Sequence, residues 1–289
     1  RSSAGEETRD AVTQTGTDAG AMRWALVTPA LAFTMVFFVL PFTAMALVSL
    51  TTMEGGGFTL AGYAQFFLNP SYFQAMVNAL AALHQVDYVA AGLGDFGKPG
   101  SYFTRQIARW SKQYREDEAA GRVAAMDRLI EWLPANIPPG EDASIVHGDY
   151  RCDNLIFHPT EPRVLAILDW ELSTIGHPLA DFGYHLMIYR MPRIGVAGML
   201  GVDFAALNIP DEAQYVRMYC ERTGRAGIDH LDFYLAFNMF RMAAIFHGIK
   251  GRFLRGTAAS ARAKEYASAV EPMAETGWKQ AELAMKAAR

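Results

Sequence analysis

The sequence predicts an α+β protein, a mostly helical lobe with one small β-hairpin, preceded by a single membrane-spanning helix. Three observations carry this reading. From Trp24 to Met53 there is no charged residue. Two short runs rich in aliphatic and β-branched residues, Ser144 to Phe157 and Val164 to Glu171, enter and leave tight polar loops. Beyond residue 100, most of the chain outside these runs has apolar residues at helical spacing.

Taken in order, residues 1–21 are rich in Ser, Thr, Gly, Asp and Glu and read as a disordered tail. Residues 22–52 read as the transmembrane helix. Trp24 to Leu50 exceeds the roughly 20 apolar residues that cross a bilayer core. Membrane helices tolerate prolines such as Pro29 and Pro41. A secretory signal peptide would have a shorter apolar region ending at a small-residue cleavage site. Arg9 and Arg23 precede the run and the next basic residue is Lys98, so the positive-inside rule places everything after Leu50 outside. Residues 53–79 read as an amphipathic linker, and residues 80–289 as the lobe. Within the lobe, helices are expected over Ser101–Tyr114, Ala125–Leu133, Asp211–Thr223 (capped by Gly224), Asp229 to about Phe253, and 258–289.

Composition narrows the function. The chain has 289 residues, of which 51% are apolar, enough for a sizeable core. A net charge of −4 argues against nucleic acid as a partner. Two cysteines, Cys152 and Cys220, suggest neither a disulfide scaffold nor a thiolate metal site and fit a reducing compartment.

The chemistry is concentrated in the hairpin. Ser144 to Phe157 reads as strand, tight loop, strand, with His147-Gly148-Asp149 in the loop. Asp149 and Asn154 have the D-x-x-x-x-N spacing of a kinase catalytic loop. One short loop can point a carboxylate at an acceptor hydroxyl and an amide oxygen at a magnesium ion only if it reverses between them. Val164 to Leu168 reads as a buried strand that delivers Asp169 to the same end, where a second oxygen can serve a hard cation. A lone Asp in a loop is ordinarily a turn former. Here residue type, spacing and strand context coincide.

These motifs, with Gly176-His177-Pro178-Leu179-Ala180-Asp181, resemble the aminoglycoside phosphotransferase and choline kinase family. Leu83-His84, Gly94-Asp95-Phe96-Gly97-Lys98-Pro99, Arg105 to Trp110, Glu131 to Pro134 and Phe233 to Asn238 are similar to the branch associated with acyl-CoA dehydrogenases. The resemblance implies a protein-kinase-like C-terminal lobe that transfers the ATP γ-phosphoryl to a small-molecule hydroxyl acceptor, of the hydroxyacyl type and a CoA thioester among the candidates. It implies Asp149 as the catalytic residue, Asn154 and Asp169 as Mg2+ ligands, Arg151 as a substrate or phosphate contact, and Asp181 as a tie for the loop. A lobe of this kind is of cytoplasmic type, whereas the apolar helix implies a membrane anchor and the flanking charges place the lobe outside.

Residues 22–80, through the TPALAFTMVFFVLPF run and the Gly55 to Leu80 segment, resemble the start of an ABC importer permease. A kinase also needs a Gly-rich loop, a strand lysine and a helix glutamate. Residues 1–78 contain no lysine, so the nucleotide-binding N-lobe is expected to be absent and activity impaired. The two patterns meet at Asn78-Ala79-Leu80, which implies a chimeric chain. Two further readings stay open, a truncated permease carrying the lobe as cargo and a non-catalytic pseudo-kinase.

Overall fold

The structure is a computed structural model and describes residues 27–29, 31–40, 43, 71–193 and 198–287. The chain divides into two compact units, Arg1–Phe67 and Leu68–Arg289.

In the first unit the described residues are helical, with a π-helical turn over Met35–Val39. Leu31, Phe33, Val36 and Phe37 are exposed. Among the described residues no helix is long and apolar enough to cross a membrane. The expected transmembrane helix, and the membrane anchor drawn from it, are therefore not supported by the described residues. The tail 1–21, the rest of 22–52 and residues 53–70 of the linker lie outside the described residues.

The second unit begins with α1 (Ser71–His84). Its Tyr72, Ala75, Met76, Val77, Leu80, Ala81 and Leu83 recur every three or four residues and are all buried. The helix runs unbroken through Asn78-Ala79-Leu80, the expected junction, and residues on both sides of that word are packed inside the lobe. The boundary drawn at residue 80 thus falls inside a helix. After α2 (Tyr102–Glu116) and α3 (Ala124–Ala135) come four short strands, β1 (Ser144–Val146), β2 (Leu155–Phe157), β3 (Val164–Ile167) and β4 (Thr174–Gly176). Helices α4 (Pro178–Leu186), α5 (Glu212–Thr223), α6 (Leu231–Leu254), α7 (Ala263–Ser268) and α8 (Val270–Ala287) complete the unit.

Helix α6 is the centre of the core. Phe233, Leu235, Phe237, Phe240 and Ala244 are buried around its circumference, and α2, α3, α4, α7 and α8 all pack against it. The terminal helix expected over 258–289 is divided into α7 and α8. Pro272 has no N–H to offer the carbonyl of Ser268, so one continuous helix would leave that acceptor unpaired.

The strands form two antiparallel pairs, β1 with β4 and β2 with β3. In the first, Ser144 faces Gly176 and Val146 faces Thr174. In the second, Leu155 faces Ile167, with an irregularity between Ile156 and Phe157. The β2–β3 hairpin is not buried as expected. A two-stranded sheet can cover only one face, and Ile156 and Leu165 on its other face are 45% and 49% exposed.

Candidate active site

The loop between β1 and β2 is held from below by a buried carboxylate. Asp181, in the first turn of α4, accepts the backbone N–H of His147 at 2.7 Å and that of Gly148 at 2.9 Å. His84 of α1 reaches the same carboxylate at 3.3 Å, and its other ring nitrogen meets the Tyr219 hydroxyl at 2.7 Å. Burial alone would raise the Asp181 carboxyl. The His84 hydrogen bond and charge, with the two amides, outweigh it and hold the group below the usual carboxylate range. Gly148 makes the turn with φ +84°, and a Cβ there would stand 2.7 Å from the Leu172 carbonyl oxygen.

The loop presents Asp149. Its Oδ1 accepts the Tyr184 hydroxyl at 2.5 Å, and the Asn154 amide Nδ2 donates to its Oδ2 at 3.2 Å and to its backbone carbonyl at 2.9 Å. Burial, and then the Asp149 charge, push the Tyr184 phenol well above its ordinary value, so this hydroxyl is a fixed donor. Both carboxylate oxygens are thereby aimed by neighbours. With Nδ2 spent on Asp149, the Asn154 amide oxygen accepts no hydrogen bond among the described residues.

The hairpin register brings Asp169 alongside. Leu155 pairs with Ile167, and the Leu168 N–H donates to the Asn154 carbonyl at 2.8 Å. Asp169 adopts φ +66°, a conformation that costs a non-glycine residue about 1–3 kcal/mol. Its carboxylate has no hydrogen bond or ion pair with a described residue. Two unspent oxygen donors at one hairpin end suit a hard cation that draws its other ligands from phosphates and water. Among the described residues no three His, Cys, Asp or Glu side chains form a metal cage.

Arg151 is half-exposed and pairs with Asp153 in its own loop. Burial, with Asp153 adding to the effect, pushes the Cys152 thiol up to about 11, which disfavours its thiolate at neutral pH. Glu171 is exposed. Two residues of the site escaped the sequence reading, Tyr184 and Arg241. Arg241 was detectable in principle, because it is the one Lys, Arg, Asp or Glu between Phe233 and Ile249.

A helical lobe with a braced Asp–Asn loop and an Asp-ended hairpin defines a kinase-like phosphotransferase fold. The chain belongs to the Phosphotransferase enzyme family, whose profile matches residues 40–227. That match begins well upstream of Asn78. The chain is 45% identical over 208 residues to acyl-CoA dehydrogenase family member 10 of Mus musculus, covering 71% of this chain and 19% of that protein. It is 42% identical over 207 residues to family member 11 of Gallus gallus, covering 70% of this chain and 26% of that one. The chain thus spans about a fifth to a quarter of these curated relatives. Among solved structures, it is similar to a protein of Ralstonia eutropha JMP134 assigned as an aminoglycoside phosphotransferase. The TM-score is 0.71 at 54% identity, covering 74% of this chain and 65% of the other.

Proposed function

We propose that this lobe transfers the γ-phosphoryl group of ATP to a hydroxyl of a small molecule, with Asp149 orienting and deprotonating that hydroxyl. The observation that carries the reading is the aim of Asp149, whose two oxygens are fixed by Tyr184 and Asn154 on a loop tied down by Asp181. The acceptor proton passes to the Asp149 carboxylate as the acceptor oxygen bonds to the γ-phosphorus. The bond from that phosphorus to the bridging oxygen breaks, and its electron pair leaves with ADP. Asn154 Oδ1 and the Asp169 carboxylate would hold Mg2+, which when bound neutralises charge on the phosphates. Arg151 is available to a substrate oxygen, because an exposed pair such as Arg151–Asp153 is worth only about 0–1 kcal/mol and is easily exchanged.

For the acceptor we favour a hydroxyacyl compound, CoA thioesters included, over an aminoglycoside. The support is the relatives named acyl-CoA dehydrogenase family members, in which the matched segment is one part of a longer chain. The chain as given has no lysine before Lys98, so a phosphate clamp of the usual strand-lysine kind is missing from it. With a nucleotide-binding N-lobe joined ahead of Leu68, turnover is expected to rise by orders of magnitude.

The test is ADP release from Mg-ATP with hydroxyacyl thioesters and aminoglycosides offered in parallel. Acceptor-dependent release that vanishes in Asp149→Asn and largely survives in Glu171→Gln is expected. Release that persists in Asp149→Asn would overturn the assignment of the base. Release stimulated by aminoglycosides alone would overturn the acceptor class, and nucleotide binding without transfer under any condition would establish a pseudo-kinase.

A further inference from the structure

Arg241 lies in the middle of α6, is the one Lys, Arg, Asp or Glu between Phe233 and Ile249, and is 6% exposed. Among the described residues it forms no ion pair with a carboxylate. Its Nε is buried without a hydrogen-bond partner. An unpaired buried cation is expensive, and an apolar side chain of similar size would pack this position at lower cost. Three contacts offset part of that cost. Nη2 donates to the Gly148 carbonyl at 2.7 Å. The guanidinium carbon stands 5.5 Å from the centre of the Tyr184 ring and 6.0 Å from that of Trp110.

Two of these contacts converge on one residue. The Gly148 carbonyl belongs to the peptide that leads into Asp149, and the Tyr184 ring carries the hydroxyl that holds Asp149 Oδ1. We infer that Arg241 is the positioning residue of the catalytic loop, fixing Asp149 both through the Gly148 peptide and through the Tyr184 ring. The inference rests on the assignment of Asp149 under the proposed function. It goes beyond it in giving a buried cation of the helical core control over the aim of the base. Asp181 holds the loop by its N–H groups and Arg241 by a carbonyl of the same turn, so the Gly148 residue is gripped from both sides.

The experiment compares Arg241→Lys, Arg241→Met and Tyr184→Phe with Arg128→Met, a control at an exposed ion pair with Glu275. Amide hydrogen exchange of the loop peptides covering 147–154 is the first readout, and it does not depend on turnover. In Arg241→Met it should rise by roughly tenfold or more in that loop, with the remainder of α6 still protected. Lysine, which can still donate to the Gly148 carbonyl, should restore part of the protection. The second readout is kinetic. Where turnover is measurable, Arg241→Met and Tyr184→Phe should lower kcat by about a hundredfold with the KM for ATP little changed, as misplacement of a catalytic group does. Unchanged loop exchange in Arg241→Met would overturn the inference. So would exchange raised uniformly over the lobe and not relieved by lysine, which marks a merely structural arginine. Loop exchange that rises as expected in a protein showing no transfer would uphold the positioning role and overturn the catalytic reading instead.

Discussion

Asp181 shows how much one buried side chain can hold. It accepts two loop amides and the His84 ring, so Asp181→Ala removes three partners at once and leaves two buried N–H groups unpaired. The expected loss is about 3–5 kcal/mol, read as a shift in the urea midpoint. A loss below about 1 kcal/mol would mean that the loop finds other acceptors. Two histidines make a separate prediction for pH. His185 is buried between the Tyr150 carbonyl and the Tyr215 hydroxyl, and His177 is buried at the N-cap of α4. Burial pushes both imidazoles down to about 4. Unfolded histidine takes up its proton near pH 6.5. Between roughly pH 6.5 and 4 the unfolded chain therefore binds more protons, and stability must fall as the pH falls. Each group contributes on the order of 3 kcal/mol at most across that window. The depressed Asp181 carboxyl acts later, since its contribution is complete above the ordinary carboxylate range and is lost only below it. Urea midpoints at pH 7 and pH 5 should differ, and His185→Gln should reduce the difference. Equal midpoints in the wild type would refute the histidine argument. At this scale spacing in the sequence is enough to put Asp149, Asn154 and Asp169 forward as candidates. Tyr184 and Arg241 act through neighbours brought together only by the fold: the lone charge between Phe233 and Ile249 singles out Arg241 without saying what it touches, and Tyr184 has no local signal.

Elements whose ends are fixed by local chemistry were legible in advance. Helix α5 was expected over Asp211–Thr223 and spans Glu212–Thr223, because Asp211 and Gln214 form a reciprocal capping box and Gly224 takes φ +69° beyond the last turn. Asp211→Ala should cost about 1 kcal/mol without changing activity. A thermal scan that finds no loss would show that Pro210, just before the cap, is enough to set the start of the helix. Elements fixed by tertiary contacts were read less well. The segment 258–289 has one continuous alanine-rich composition, and the division before Val270 becomes visible only when Pro272 is weighed against the carbonyl of Ser268. Helix α1 was divided for a different reason. Its first nine residues come after an apolar, proline-punctuated stretch whose hydropathy suits a membrane protein, and hydropathy does not distinguish lipid from a protein core. Packing ties the two sides of Asn78-Ala79-Leu80 together. The Tyr150 hydroxyl donates to the Met76 carbonyl at 2.7 Å, and the Tyr72 and Phe157 rings meet edge to face at 5.5 Å. The residues before Asn78 thus touch both the catalytic loop and the hairpin behind it.

Among the described residues the second unit starts with α1, and this bears on where the chain can be cut. Tyr72, Met76 and Val77 are buried to within a few per cent, and each contributes roughly 1.5–3 kcal/mol by leaving water. Their sum, about 5–9 kcal/mol, is comparable to the whole stability of a typical domain, about 5–15 kcal/mol. Removing them also strands the Tyr150 hydroxyl, which has its partner on Met76. A chain that starts at Leu68 keeps α1 intact, together with its packing on α5 and β1. A chain that starts at Leu80, the boundary suggested by the motif patterns, loses the first nine residues of that helix. The first should unfold in a single cooperative urea transition with native near-UV circular dichroism, and the second should be molten or insoluble. Tyr72→Ala in the longer chain gives a graded version of the same comparison, with a loss of about 3–5 kcal/mol expected for an aromatic side chain removed from a core. Equal stability of the two truncated chains would show that the packing of α1 contributes little, and the lobe would then begin where the sequence alone had placed it.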